Sequence, residues 1–128
     1  MTAAQLLCHA IGDYVLQSDW MASNKTSRNL PAILHALLYG VPFVFLTQSP
    51  LALVTIVGTH FIIDRFRLAR YLGWIKNFIA PIGFNKPWSE CSGTGYPADK
   101  PAWLAVWLLI IVDNITHVSI NALAISYL

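Results

Sequence analysis

The chain has 128 residues, of which 56% are hydrophobic and only 11% are charged. Soluble domains average about 45 to 50% apolar and about 25% charged residues, so the composition favours a small membrane protein with one domain. Eight Lys and Arg against six Asp and Glu give a net charge of +2, which excludes the dense basic surface that nucleic-acid binding requires.

Four apolar segments are long enough to cross a bilayer, which takes about 20 mostly apolar residues per helix. In chain order these segments cover about residues 2–20, 30–48, 50–71 and 101–128. The first is the least apolar, and the second contains Gly40 and Pro42, which predict a kink. The pattern predicts an all-α integral membrane protein in which four transmembrane helices form a compact bundle.

The basic residues indicate an orientation for this bundle, because cytoplasmic loops are enriched in Lys and Arg. All eight lie between the first and second segments, or from the end of the third segment to the start of the fourth. The connection 72–100 is therefore predicted to be a cytoplasmic loop, either an ordinary capping loop or a substrate lid. Both termini are predicted to lie outside (N-out, C-out), with the lipid bilayer as partner. The sequence leaves open whether the bundle forms a homo-oligomer.

Three His–Asp pairs lie inside the predicted segments, each with a spacing of four that puts both side chains on one helix face. By chance, three such pairings among four histidines would arise roughly twice in a thousand sequences of this composition. An Asp at the centre of a membrane costs about 2.5 to 3.5 kcal/mol, so we expect the pairs to converge and to be compensated. The pairs are His9 with Asp13, His60 with Asp64, and Asp113 with His117.

A divalent cation in a polar His/Asp core is one source of that compensation, since imidazoles and carboxylates suit Zn, Mn or Fe. Two alternatives stay open: purely structural hydrogen bonds between helices, and a pathway for protons or ions. No Lys or Arg is expected near enough to neutralise the acids. His35 has no Asp at a spacing of four and is a candidate further ligand or proton carrier. The predicted metal ligands are His9, Asp13, His60, Asp64, Asp113 and His117.

Several short motifs together resemble a family of small bacterial and phage membrane proteins, domain of unknown function 3307. The resemblance covers nearly the whole chain and implies a bacterial inner membrane, in a bacterium or from a phage, but no activity. The motifs are His9-x3-Asp13-x2-Leu16-Gln17 with Asp19-Trp20-Met21, His35-Ala36-Leu37, His60-x2-Ile63-Asp64, Thr94-Gly95-Tyr96-Pro97 and Asp113-Asn114-x2-His117.

The most concrete function that we predict is a metal-dependent hydrolase acting on a membrane-accessible ester, amide or phosphoester. A bound metal lowers the pKa of its water toward about 7, and Asp13 or His35 would act as the catalytic residue that accepts the proton. The alternative is a protein without enzymatic activity, which carries protons or ions or binds a partner through exclusion or recruitment.

Overall fold

A computed structural model describes residues 2–81 and 83–128 of the chain. Residue 82, inside the predicted loop 72–100, lies outside the described residues. A π-helical turn, Ile11–Val15, continues the first helix, and a 3-10 turn, Val41–Phe45, continues the third. The described part contains seven α-helices: α1 Ala3–Ala10, α2 Asp19–Asn24, α3 Asn29–Gly40, α4 Pro50–Phe66, α5 Ala69–Lys76, α6 Trp88–Cys91 and α7 Ala102–Tyr127.

The prediction of four transmembrane helices is wrong. Among residues 2–81 and 83–128, α7 is the one helix that is long and apolar enough to cross a membrane, with a mean hydropathy of 1.7. The first predicted span instead consists of α1, a π turn and the start of α2, and the second is shared between a 12-residue helix and a 3-10 turn. The third ends after 17 residues. A bilayer takes about 20 helical residues, so these pieces are too short.

The structure supports one statement about location: α7 is long and apolar enough to span a membrane. The structure does not support placement in the inner membrane or the predicted N-out, C-out orientation, because that orientation was deduced from four spans. A single long apolar helix is by itself weak evidence for a membrane protein, since core helices also have this length and composition.

Local sequence signals explain where the helices begin and end. Thr2 and Gln5 form a capping box at the start of α1, with distances of 2.8 and 3.3 Å between side chains and backbone amides. Ser49 accepts a hydrogen bond from the Ala52 amide, with Pro50 in the first turn of α4. Arg67 ends α4 in the left-handed region, at φ 53°. The last turn of α4 is therefore fixed just after Asp64.

The described chain divides into two compact units. The first unit contains the residues through Arg67 together with His117–Leu128, and its apolar core is formed by Tyr39, Phe43, Ile56 and Ala124. Gly12 allows close packing there, because a Cβ at this position would lie 2.7 Å from Tyr39 Cδ2. The π turn is therefore pressed against α3.

The second unit, Leu68–Thr116, includes most of the predicted cytoplasmic loop and is ordered by aromatic packing around α5. The rings of Tyr71 and Trp88 stack at 4.5 Å, and the Trp74 indole donates a hydrogen bond to the Lys86 carbonyl at 3.0 Å. Gly95 adopts φ 85°, a conformation that favours glycine. Residues 72–100 thus contain the end of α5, a 3-10 turn and α6.

The first unit buries polar side chains and exposes apolar ones. On α3, His35 and Tyr39 are fully buried, while Leu30 is 61% exposed and Leu37 is 54% exposed. The buried polar residues of the first unit are Gln5, His9, Asp13, His35, His60, Asp64, His117 and Asn121.

Candidate metal centre

Four buried side chains of the first unit meet around one point. Asp13 comes from the π turn, His35 from the middle of α3, and His60 and Asp64 from successive turns of α4. The exposed fraction of each residue is between 0 and 6%. Each offers one donor atom to a group that could hold a metal ion.

The donor atoms lie at short and similar distances from one another. His35 Nε2 is 3.2 Å from Asp13 Oδ1 and 3.2 Å from Asp64 Oδ2. His60 Nε2 is 3.5 Å from the same Asp13 oxygen and 3.3 Å from the same Asp64 oxygen. The two Nε2 atoms are 2.9 Å apart. If the four donor atoms are taken as the corners of a tetrahedron, these five distances are five of its six edges.

These edges are close to those of a tetrahedral metal site. Protein nitrogen and oxygen ligands lie about 2.0 to 2.1 Å from a zinc ion, which places tetrahedral ligands about 3.3 to 3.4 Å from one another. The observed edges run from 2.9 to 3.5 Å. The buried His/Asp cluster can therefore hold a metal ion with little movement of its side chains.

The π turn positions the Asp13 carboxylate. The Leu16 amide donates to the Ile11 carbonyl at 2.9 Å, five residues back rather than four. Turns of this kind are rare and are found frequently at functional sites. Because Gly12 lets this turn approach Tyr39, Asp13 reaches His35, which lies one turn earlier on α3.

Hydrogen bonding overcomes the cost of burying the two carboxylates. Burial alone would raise the pKa of Asp64, but hydrogen bonds from three imidazoles outweigh it and hold that pKa well below 3.8. Burial also opposes ionisation of Asp13, but the hydrogen bond from His35 and the nearby charge of His60 lower its pKa. Both acids are therefore ionised at neutral pH, as metal ligands must be.

The two histidines differ in their protonation. Burial opposes the charged form of His35, but hydrogen bonds to Asp13 and Asp64 raise its pKa above 6.5. Burial dominates at His60 and lowers its pKa to about 4, with Asp64 acting in the opposite direction. His60 is thus neutral at physiological pH, the form that binds a metal.

Two of the other predicted ligands, His9 and His117, lie around this group. His117 Nε2 is 3.2 Å from Asp64 Oδ1, and His117 Nδ1 is 3.2 Å from His60 Nδ1. His9 Nδ1 is 2.9 Å from the Tyr39 hydroxyl, while His9 Nε2 is 3.7 Å from Asp13 Oδ2. Both histidines thus face ligand atoms on the side away from the shared point. Asp113 precedes His117 by four residues on α7 and belongs to the second unit.

Two residues of the site were not predicted from the sequence. Lys25 Nζ donates to Asp64 Oδ2 at 2.7 Å and lies 3.1 Å from His35 Nε2. The expectation that no Lys or Arg approaches the acids is therefore wrong, because Lys25 follows α2 and the chain turns back there. Tyr39 stacks on His60, with ring centroids 3.6 Å apart. Its position four residues after His35 was the available signal.

Comparison with known proteins adds a family but no activity. No curated protein and no solved structure matches the chain. A family described as "Protein of unknown function (DUF3307)" matches residues 1–127. That description names no reaction, membrane or phage, so it does not support the hydrolase prediction. A single candidate membrane helix does not support the predicted class of membrane protein either. Because the match extends over nearly its whole length, the chain belongs to the DUF3307 family, as its motifs indicated.

Proposed function

We propose that this chain is a metal-binding protein whose Asp13–His35–His60–Asp64 centre holds one transition-metal dication. The observation that carries the proposal is the set of five donor-to-donor distances, 2.9 to 3.5 Å, among atoms from three separate segments. A tetrahedral metal site requires four such nitrogen and oxygen donors directed at one shared point.

The donor set selects the class of metal. Two imidazole nitrogens and two carboxylate oxygens suit zinc, manganese or iron, while Mg²⁺ and Ca²⁺ prefer oxygen ligands throughout. The near-tetrahedral edges favour zinc among these metals. The two carboxylates also balance the charge of a dication, which reduces the cost of holding it in a buried site.

The contacts outside the group support the same function. His117 Nε2 engages the Asp64 oxygen that does not face the shared point, so one carboxylate oxygen stays directed at the metal. Metal-binding carboxylates and imidazoles are usually oriented by such neighbours. Tyr39 stacks on the His60 ring and holds its plane.

Elemental analysis combined with zinc titration tests the proposal. We expect the purified or reconstituted protein to hold one equivalent of metal, and His60→Gln to hold none. His9→Gln is the matched control, because His9 is a buried histidine whose Nδ1 faces the Tyr39 hydroxyl instead. Equal stoichiometry in wild type and His60→Gln would refute the ligand set.

A proton pathway is a second candidate, favoured by a run of three imidazoles. His117 Nδ1 lies 3.2 Å from His60 Nδ1, and His60 Nε2 lies 2.9 Å from His35 Nε2. A relay needs a proton between the two Nε2 atoms, whereas a metal replaces that proton. Nitrogen-15 spectra of the imidazoles, recorded before and after zinc addition, separate the two functions: loss of the shared proton supports the metal centre.

A further inference from the structure

The cationic side chain of Lys25 lies against two donor atoms of the proposed metal centre. Its ammonium donates to Asp64 Oδ2 at 2.7 Å and lies 3.1 Å from His35 Nε2, and both atoms belong to the proposed ligand set. Those two atoms are 3.2 Å from each other. The ammonium therefore lies beside the edge that joins Asp64 Oδ2 and His35 Nε2.

A metal and this ammonium cannot occupy these positions together. A metal about 2.0 to 2.1 Å from both Asp64 Oδ2 and His35 Nε2 lies no more than about 4 Å from the Lys25 nitrogen, on whichever side of that edge each is placed. At this distance a dication and an ammonium repel strongly, because little water screens them. Asp64 would also have to serve both cations through the same oxygen.

We infer that Lys25 is an internal counter-ion that the metal displaces, so that the Lys25–Asp64 ion pair and the bound metal are mutually exclusive. The inference rests on the proposed metal centre and adds how the centre is loaded. The ammonium offsets only part of the negative charge with which the Asp13 and Asp64 carboxylates attract a dication. Lys25 therefore lowers the affinity of the site for metal without abolishing it.

Hydrogen bonds hold the backbone around Lys25 in place. Arg65, the residue after Asp64, donates to the Thr26 carbonyl at 2.8 Å and to the Asn29 side chain at 2.8 Å. The Lys25 amide donates to the Met21 carbonyl at the end of α2. Displacement therefore requires rotation of the lysine side chain alone.

Lys25 is more exposed to solvent than the two ligands that it contacts. Its side chain is 18% exposed, whereas the side chains of Asp64 and His35 are 4% and 0% exposed. The ammonium can therefore exchange its contact with Asp64 for water when a metal binds.

The test compares zinc affinity in wild type, Lys25→Met and a control, using competition with a chromophoric chelator at one pH and ionic strength. Methionine keeps the length of the stem and removes the charge. We expect Lys25→Met to bind zinc about tenfold more tightly or better, since the competing charge is gone. Lys100→Met is the control, because Lys100 pairs with Asp99 at 3.6 Å in the second unit and should leave the affinity unchanged.

A second readout uses the wild-type protein and does not depend on the variant folding. The Lys25 ammonium should give a protected proton–nitrogen signal, assigned through its correlation with the carbons of its own side chain, and this signal should disappear when zinc is added. Equal or weaker zinc binding by Lys25→Met, or an ammonium signal that persists at full zinc occupancy, overturns the inference while the metal centre stands. If neither protein binds zinc, both the inference and the proposed function fail.

Discussion

The phenol ring of Tyr39 lies parallel to the imidazole ring of His60, with centroids 3.6 Å apart and planes inclined by 8°. The hydroxyl of the same tyrosine lies 2.9 Å from His9 Nδ1 and accepts a hydrogen bond from the Asn121 side chain. Tyr39 thus links the orientation of His60, a proposed metal ligand, to residues of α1 and α7. It is fully buried, so both of its ends are fixed by packing.

Replacing Tyr39 by Phe separates these two roles. The ring stack on His60 is kept, while the buried His9 and Asn121 side chains lose their shared partner. We expect the free energy of unfolding to fall by about 1 to 3 kcal/mol and the metal stoichiometry to stay at one. Chemical denaturation and elemental analysis measure the two quantities. A Tyr39→Phe protein that cannot hold metal would show that the hydroxyl belongs to the centre.

His117 should behave as an orienting residue and not as a ligand. It contacts Asp64 Oδ1 and His60 Nδ1, the atoms of two ligands that face away from the metal. Removing such a neighbour typically costs about 10- to 100-fold in metal affinity. We therefore expect His117→Gln to bind one zinc with an affinity reduced in this range. Complete loss of zinc, as expected for His60→Gln, would make His117 a ligand instead.

Replacing glycine by alanine should have opposite effects at two positions on helical segments of the first unit. A Cβ at Gly12 would lie 2.7 Å from Tyr39 Cδ2 and 3.0 Å from the Tyr39 backbone, so Gly12→Ala must push the π turn away from α3. A Cβ at Gly58 meets no described atom within 4 Å. We expect Gly12→Ala to lose about 1 to 3 kcal/mol and to weaken metal binding through Asp13, and Gly58→Ala to gain about 0.5 to 1 kcal/mol. Thermal unfolding of both variants, with and without zinc, measures the contrast. Equal stability of the two would argue against the close approach.

The low pKa of His60 predicts a loss of stability in mild acid for protein kept free of metal by a chelator. In the unfolded chain His60 takes up a proton near pH 6.5, but in the folded protein only near pH 4. The unfolded state therefore binds more protons in this range, and stability falls as the pH decreases from 6.5 to about 4. The loss is at most about 3 kcal/mol.

The neighbouring groups do not cancel this effect within the same range. His35 has a raised pKa, so its contribution to stability is complete below 6.5 and is lost at higher pH. Asp13 and Asp64 have lowered pKa values, so their contributions are lost only as the pH falls below about 3.8. Denaturation curves across this range should therefore be flatter for His60→Gln than for wild type. Parallel curves would contradict the buried, neutral His60.

The sequence indicated which polar side chains lie close together better than it indicated the lengths of the helices. A His and an Asp four residues apart share a helix face whatever surrounds the helix, so local spacing alone indicated His60 and Asp64. Helix length depends on where the backbone changes its hydrogen bonding, and the change at Ile11 and the left-handed Arg67 have no strong local signal. Apolar runs were therefore interpreted as continuous spans although the helices within them are short.

Lys25 and Tyr39 were missed for a different reason. Lys25 reaches Asp64 across 39 positions of sequence, through a turn after α2 whose geometry depends on Arg65. Tyr39 lies four residues after His35 and shares its helix face, but an apolar ring at that position looks in a sequence like any core residue. Contacts that depend on how separate segments fold back on each other cannot be recovered from spacing within one helix.

The wide turn at Ile11–Val15 offers a criterion for sorting related chains. Its closing hydrogen bond, from Leu16 to Ile11, encloses one residue more than an ordinary helical turn, and this additional residue sets which side chain faces α3. A relative that keeps an aspartate but lacks one residue between His9 and Leu16 would present a different side chain there. Segment length, together with residue identity, would then separate family members that keep this arrangement of donor atoms from those that have lost it.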